Sequence, residues 1–423
     1  MGLPAPVMTF LREDALERFL NYVRIDTRSD PNSGVHPSSP GQIELARLLL
    51  KELGAEGIQD AELDHFGYLY AVIPARHADT NVAITFCAHL DTSPAVSGQG
   101  VTPVLHRQYD GGIIRFPRDP ELLLGPADSP ELLRFKGDTI ITASGDTLLG
   151  ADDKAGVAAI MSAAAALHRF PELPCPELRI VLTPDEEIGQ GADHIELERL
   201  GRFGYTVDGG EMGEIESECF HAEEVKLTFT GHNVHPGYAK NRLVNASAAA
   251  ARLMAALPDA DSPEHTEGRE GFIHLTGISG NESNATLSFI LRDFESDRVE
   301  QRRRLIAHLV DVFRVREPGL AIEMQVREQY RNMREVLIGH PEVARRAAGA
   351  IEMSGVPPIE RSIRGGTDGA RLSFMGMPTP NLFAGGMLFH SKKEWIPATA
   401  LRKCPETLLH LCHLWAGLDS VST

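Results

Sequence analysis

At 423 residues the chain is too long for one simple core and is expected to fold as two domains. Its 42% hydrophobic and 24% charged residues are those of a soluble globular protein, and a formal net charge of −18 argues against nucleic acid as a partner, since nucleic-acid binders carry a basic footprint. No run of roughly twenty apolar residues predicts a membrane span, no charged-then-apolar leader predicts export, and Pro6 stands where a myristoylation motif carries Ser or Thr. Cys87, Cys175, Cys219, Cys404 and Cys412 have no metal-ligand spacing, and are expected as reduced, buried thiols of a cytoplasmic protein.

Residues 16–25 have helical spacing, with Glu13, Asp14 and Glu17 near the start. Residues 30–40, rich in Pro, Ser, Asn and Gly, read as a loop. Ser39-Pro40 then offers an N-cap and a first-turn proline to a helix ending near residue 53. Runs 69–73 and 82–88 are strand-like, and the second leads into His89-Leu90-Asp91-Thr92. Residues 93–149, rich in Gly, Pro and Asp, predict turns and a hairpin outside the core. Gly150-Ala151-Asp152-Asp153-Lys154-Ala155-Gly156 then opens an alanine-rich buried helix over 157–170. The β-branched run 178–183 delivers Thr183-Pro184-Asp185-Glu186-Glu187-Ile188-Gly189 to its C-terminal end, where open α/β sheets collect ligands and catalysts. Strand 205–207 ends in Asp208-Gly209-Gly210.

Beyond residue 217 the periodicity changes. Strand 224–230, helix 244–257, strands 271–278 and 285–294, helix 299–315 (with Arg302, Arg303 and Arg304 on its wet side) and strand 321–330 follow in order. This β-α-β-β-α-β series is that of ferredoxin-like domains and predicts an inserted α+β domain over 218–330. The α/β character resumes with helix 340–354, strand 380–383 and helix 398–418; Arg364-Gly365-Gly366-Thr367-Asp368-Gly369 lies between the first two. The expected fold class is thus α/β. A mixed, mainly parallel sheet flanked by helices forms from 1–217 and 331–423, interrupted by the insertion.

Candidate ligands stand at successive strand ends: His89, Asp152, Glu187, Asp208 and, far downstream, His390. Each alone has a plain alternative: a core histidine, a helix N-cap, a solvated acidic turn, a simple turn, a surface histidine. Together they form an inventory of two imidazoles and three carboxylates, suited to two zinc ions sharing one carboxylate and a water. Crowded carboxylates repel strongly unless cations hold them together. Asp91, two residues past His89, can orient its imidazole, and Glu186, beside Glu187, is free to act as general base.

These residues sit in longer stretches that are specific. They include Leu16-Glu17-Arg18-Phe19-Leu20-Asn21-Tyr22-Val23, Asp91-Thr92-Ser93-Pro94, Leu149-Gly150-Ala151-Asp152-Asp153-Lys154-Ala155-Gly156, Thr183-Pro184-Asp185-Glu186-Glu187 and Tyr205-Thr206-Val207-Asp208-Gly209-Gly210. Asn233-Val234-His235-Pro236-Gly237, Arg292-Asp293-Phe294, Asn332-Met333-Arg334-Glu335 and the run 363–376 extend the series nearly end to end. On these stretches the sequence resembles the peptidase T family, the tripeptide aminopeptidases of the dizinc exopeptidase superfamily.

The resemblance implies a zinc-exopeptidase catalytic domain, with the insertion as a lid and dimerisation domain, and two zinc ions per subunit. Zinc, cobalt and manganese all suit such a site. In it Asp152 bridges both metals through a turn with a cis peptide after it. His89 and Asp208 complete one site, and Glu187 and His390 the other. Asp91 orients His89, and Glu186 is the base and proton shuttle. His235 reaches the scissile carbonyl and stabilises the oxyanion, the alternative being a loop histidine before Pro. Arg292 and Arg364 take the substrate carboxylate, the alternative being buried arginines paired with Asp293 or Asp368. Asn245 is a further substrate contact, or only the cap of its helix. A positive charge at fixed distance from the metals explains a limit at three residues. A deacylase or carboxypeptidase of the same superfamily would share the metal core, whereas a non-catalytic binding protein would lack a ligand or the base. Tripeptides are the implied partners, and the edges of a ferredoxin-like domain suggest a homodimer through it. Glu211 and the run Ser391-Lys392-Lys393-Glu394 depart from the family pattern, and the first seven residues, without counterpart, are expected to be disordered.

Overall fold

The apolar strand runs become the centre of an eight-stranded sheet in the computed structural model, which describes residues 2–417. Leu178–Thr183, Ile84–His89, Phe203–Gly209 and Asn381–Phe383 lie side by side in that order, and neighbours run parallel. Leu69–Ile73 joins Leu178–Thr183 antiparallel, with Ala61–Leu63 beyond it, and Glu214–Cys219 joins Asn381–Phe383 antiparallel on the other side. Ile359–Ile363 completes that edge. The sheet is therefore mixed, parallel at its centre and antiparallel toward its margins. All of Ile84–His89 is buried, as a parallel strand covered on both faces must be, which is why its sequence reads as an unbroken apolar run.

Helices cover this sheet. Ala151–Arg169 is buried along nearly its whole length and packs with Ala5–Tyr22, Pro40–Ala55, Pro341–Met353 and Ala398–Trp415 in one core. Gly156 sets how close the Ala151–Arg169 helix comes to the sheet: a Cβ there would lie 1.8 Å from the Val207 carbonyl oxygen. Only glycine lets this helix sit beside the strand that carries Asp208. At the helix start, Asp152 and Asp153 depart from helical geometry and the peptide between them is cis, as the family resemblance implies.

Several expectations are corrected. The first helix begins at Ala5, inside the stretch expected to be disordered: Pro6 suits a first turn, and Val7 and Leu11 are fully buried. Burying two such side chains is worth about 1.5–3 kcal/mol each, which outweighs fraying. Met1, like Leu418 at the expected end of the last helix, lies outside the described residues. Ser39 occupies the N-cap position of Pro40–Ala55, but its side chain makes no cap bond; Gln42 Nε2 donates to its Oγ instead, at 3.3 Å. Residues 93–149 do contain a core. Tyr109, Ile114, Phe116, Leu124, Leu132, Phe135 and Ile140 cluster with Trp395, beside the hairpin Ile114–Phe116/Asp119–Leu124. The turn-rich composition concealed it, because its short apolar runs are separated by Gly, Pro, Asp and charged residues.

A second compact unit comprises Glu218–Arg334 and Ser362–Gly366. Its four antiparallel strands are ordered Phe272–Gly280, Asn284–Asp293, His221–Thr230, Ala321–Tyr330. Helices Ala246–Met254 and Ser296–Arg316 cover one face, and Val225, Leu227, Phe229, Leu287, Phe289 and Ile306 fill the core. The strict alternation of buried positions along Asn284–Asp293 follows from having only one face covered. Ser362–Gly366 joins this unit because Phe220 N–H donates to Ile363 O and Arg364 donates to Thr266 and Glu270.

Gly156→Ala should lower the urea midpoint by the equivalent of about 1–3 kcal/mol, the cost of overpacking a tight contact. An unchanged midpoint would show that helix and strand can part at no cost.

Candidate metal centre

Asp152 stands where four chain segments meet. His89 is the last residue of its strand, Asp208 the penultimate residue of the next, Glu187 follows Leu178–Thr183 in a tight turn, and His390 projects from the loop before Trp395–Pro397. His89 Nε2 lies 2.8 Å from Asp152 Oδ1 and 3.5 Å from Asp208 Oδ1. His390 Nε2 lies 3.0 Å from Asp152 Oδ2 and 3.0 Å from Glu187 Oε1. The two oxygens of one carboxylate thus face two different imidazole–carboxylate pairs. Donor atoms of His89, Asp152 and Glu187 lie within 4.8 Å of one another, as do those of His89, Asp153 and Asp208, and each set can hold a cation. All five residues named as ligands from the sequence are brought together here.

The turn after Leu178–Thr183 is fastened from beneath. Asp91, fully buried, accepts from Glu186 N–H at 2.9 Å and Glu187 N–H at 3.1 Å, and its Oδ1 is 3.4 Å from His89 Nδ1. His89 Nδ1 lies closer to the Asp91 backbone carbonyl, at 3.0 Å, than to its carboxylate, which places the two glutamates, a role that spacing in sequence did not show. Asp185 takes a left-handed φ of 58° and is fully buried. Its carboxylate accepts from Ser38 N–H, Ser38 Oγ and Gln42 Nε2, and its N–H donates to Gln42 Oε1. Sequence reasoning missed this brace, and also Asp153 and Asp368. Asp153 accepts from His89 N–H and Gly156 N–H, and Asp368 accepts from Thr183 Oγ1. The only sequence signal for Asp153 was its place beside Asp152.

Electrostatics follow from this crowding. Burial, reinforced by Asp208, pushes the Glu186 carboxyl well above its ordinary range. Burial and Asp152 raise Glu187 to about 8, and burial raises Asp208 to about 6 against the opposing pull of His89. Hydrogen bonds to Asp152 and Glu187 raise His390 to about 11. Burial pulls His89 down, but Asp208, Asp152 and Asp91 together hold it well above the usual imidazole value. Burial would raise Asp152 also, yet the two imidazoles bring it below the ordinary carboxylate range.

The residues expected to bind substrate belong to the second unit. His235 is exposed, and its Nδ1 accepts from Gly237 N–H at 3.1 Å. That bond leaves the proton on Nε2 of the neutral ring. Arg364 donates to Thr266 O, Thr266 Oγ1 and Glu270 O, and lies over Phe220 and Phe272. Arg292 lies over Phe272 and Tyr330 and makes a 3.4 Å contact to Arg364 O. Asp293 pairs with Arg302, and Asp368 accepts from Thr183 Oγ1. Asn245 Oδ1 caps its helix, accepting from Ala248 N–H at 2.9 Å. Glu211 is buried against Arg361 and Arg134, and Lys393 is turned to Asp128; both departures from the family pattern make internal ion pairs.

Residues 145–413 match the model of peptidase family M20/M25/M40. A peptidase T of Parabacteroides distasonis is 47% identical over 402 residues, covering 95% of this chain and 98% of that one. A peptidase T of Clostridium acetobutylicum is 42% identical over 405 residues, covering 96% and 99%. Among solved structures, aminopeptidase PepT from Bacillus cereus shares the fold, with a TM-score of 0.73 at 22% identity over 96% of this chain and 99% of that one.

The shifts fix how stability depends on pH. Glu187 and Asp208 keep protons in the folded chain that the unfolded chain has released, so stability falls as pH rises from about 4.5 towards 8. His390 acts in the same direction: its contribution is complete below its ordinary 6.5 and is lost as pH rises towards about 11. Cations bind the deprotonated carboxylates and neutral imidazoles, so they act against this loss. Chelator-treated protein should therefore melt at progressively lower temperature from about pH 5 to pH 8, and excess zinc should flatten the decline. Parallel curves with and without zinc would contradict this assignment.

Proposed function

The chain belongs to the M20/M25/M40 family of peptidases, in its peptidase T group, and on that premise we propose that it removes the N-terminal residue from tripeptides, with two zinc ions as its cofactors. The observation that carries this reading is the division of Asp152 between two imidazole–carboxylate pairs. The donor set fits divalent zinc: two imidazoles and three carboxylates, with Glu187 Oε1 buried and 3.0 Å from His390 Nε2. In this reading His89 and Asp208 hold one ion, Glu187 and His390 the other, and Asp152 both. When bound, the ions supply Lewis-acid chemistry, polarising the scissile carbonyl and making water a competent nucleophile near neutral pH.

The chain's own residues do the rest. Glu186, set by the bond from its N–H to Asp91, accepts the proton from the attacking water on its carboxylate and returns it to the departing amine. His235 donates from Nε2 to the oxygen on which negative charge develops. Arg292 and Arg364 take the substrate's C-terminal carboxylate. Arg292 carries the larger share, since the Arg364 guanidinium already donates to three acceptors. Any contact from Asn245 comes through Nδ2, because Oδ1 serves the helix. A deacylase or carboxypeptidase would use the same metal centre; the near full-length likeness to peptidase T enzymes favours the aminopeptidase. The reading includes a cytoplasmic address, which five buried thiols suit. It also includes a homodimer through the second unit, whose edge strand Phe272–Gly280 is largely exposed toward its end.

A free tripeptide should be cleaved, its C-terminal amide and the matching dipeptide much less. Glu186→Gln should lower kcat by about 10²–10⁴-fold while two metal equivalents stay bound. Equal cleavage of the amide would remove Arg292 and Arg364 from the account, and cleavage of N-acyl amino acids instead would turn it to the deacylase. Light scattering at micromolar concentration should exceed the 46.2 kDa of one chain; a monomer mass would count against the dimer.

A further inference from the structure

His390 and Asp152 lie far apart in sequence, yet share one side of the metal centre. The loop that carries His390 is closed at its neck by Met387 and Trp395, which exchange backbone hydrogen bonds of 2.9 and 3.1 Å. Glu394 sits at that neck. The residue is 1% exposed, and its side chain reaches the turn that carries Asp152. There Oε2 accepts from Leu149 N–H and Gly150 N–H, each at 2.8 Å, and Oε1 accepts from Asp152 N–H at 3.1 Å. These are the first N–H groups of the Ala151–Arg169 helix and its approach, which have no partner within the helix and favour an anionic acceptor.

Three bonds to one carboxylate leave it little freedom. Gly150 has a φ of 81° and Asp152 a non-helical backbone, so this turn has no regular ladder of its own to fix it. Glu394 is four residues from His390 on a loop closed at the neck, and so sets the position of the Asp152 turn against the loop that carries the imidazole.

We propose that Glu394 is a positioning residue of the metal centre: by binding the Leu149, Gly150 and Asp152 N–H groups it fixes Asp152 relative to His390, and thereby the affinity of the cation site these two share with Glu187. The proposal rests on the metallopeptidase reading above and assigns Glu394 no contact with metal or substrate.

The test is cobalt(II) titration of metal-stripped wild type, Glu394→Gln and Glu394→Ala, following visible absorption and bound metal. Glutamine keeps the length of the side chain but has one acceptor oxygen, and its amide group faces an N–H. Loss of an outer hydrogen-bonding partner of a metal ligand typically weakens metal affinity by 10–100-fold. Glu394→Gln should therefore bind one of two cobalt equivalents at least tenfold more weakly, Glu394→Ala more weakly still. Their tripeptidase kcat at limiting metal should fall and be partly restored by excess metal, with KM changed less than twofold. Two equivalents bound by Glu394→Gln with wild-type affinity would overturn the proposal, even if its melting temperature fell, for Glu394 would then support only the fold. Failure of both variants to fold would overturn it in the same way. Wild-type protein that binds no cobalt would instead bring down the metallopeptidase reading itself, an outcome distinct from a wild type that binds two and a variant that matches it.

Discussion

Everything at the centre of this protein depends on one carboxylate facing two ways. Asp152 Oδ1 meets His89 and Oδ2 meets His390 at hydrogen-bond distance, so the turn that carries Asp152 must be held in two directions at once. Regular helix geometry does not do this, and the backbone at Asp152 and Asp153 departs from it. The parallel strands supply the rest of the frame. Adjacent parallel strands end at the same edge of a sheet, so His89, Asp208 and the turn holding Glu187 arrive together without any long loop. Gly156 brings the helix close enough to that edge for Asp152 to join them.

The acidic residues around this point fall into two groups by what their oxygens face. Asp91, Asp153, Asp185 and Glu394 each accept two or more hydrogen bonds, mostly from backbone N–H groups. They are acceptors for a polypeptide that must bend sharply. Asp152, Glu187 and Asp208 face imidazoles and one another instead. The first group does for the turns what a helix or sheet ladder does elsewhere. The second is left with oxygens directed inward, where a cation is the partner that satisfies them all.

The strands were legible wherever burial on both faces left an apolar run, as in Ile84–His89 and Leu178–Thr183, or burial on one face left alternation, as in Asn284–Asp293. The two strands toward one margin of the large sheet were not. Glu214–Cys219 reads as an acidic stretch, and Ile359–Ile363 is mostly exposed, so neither carries a periodic signal. The candidate ligands could be read because each stands beside turn residues, His89 and Asp208 at the ends of apolar strands. Apart from Asp91, their supports could not. Glu394 sits in a lysine-bearing run that looks like solvated surface, and its three partners lie more than two hundred residues away. Ser38 and Gln42 likewise read as loop and helix surface, and only the fold shows them gripping Asp185. A side chain that serves a distant backbone leaves no local pattern, because its partner N–H groups belong to every residue type.

This division also explains why fold and cofactor share free energy at the site. Bringing Asp152, Glu187 and Asp208 together out of water opposes folding through desolvation and like-charge repulsion, and the raised Glu187 and Asp208 values record that opposition. The hydrogen-bonded carboxylates beneath them offset part of it by making the turns rigid before any ion arrives. A site arranged in advance gives up less order on binding, so more of the interaction between cation and carboxylate appears as affinity. Were the ligand turns held only by the ion, the same ligands would bind more weakly and the chain would lose its arrangement with the metal. The buried brace of Asp91, Asp185 and Glu394 is therefore as much a part of the centre as the residues that face inward.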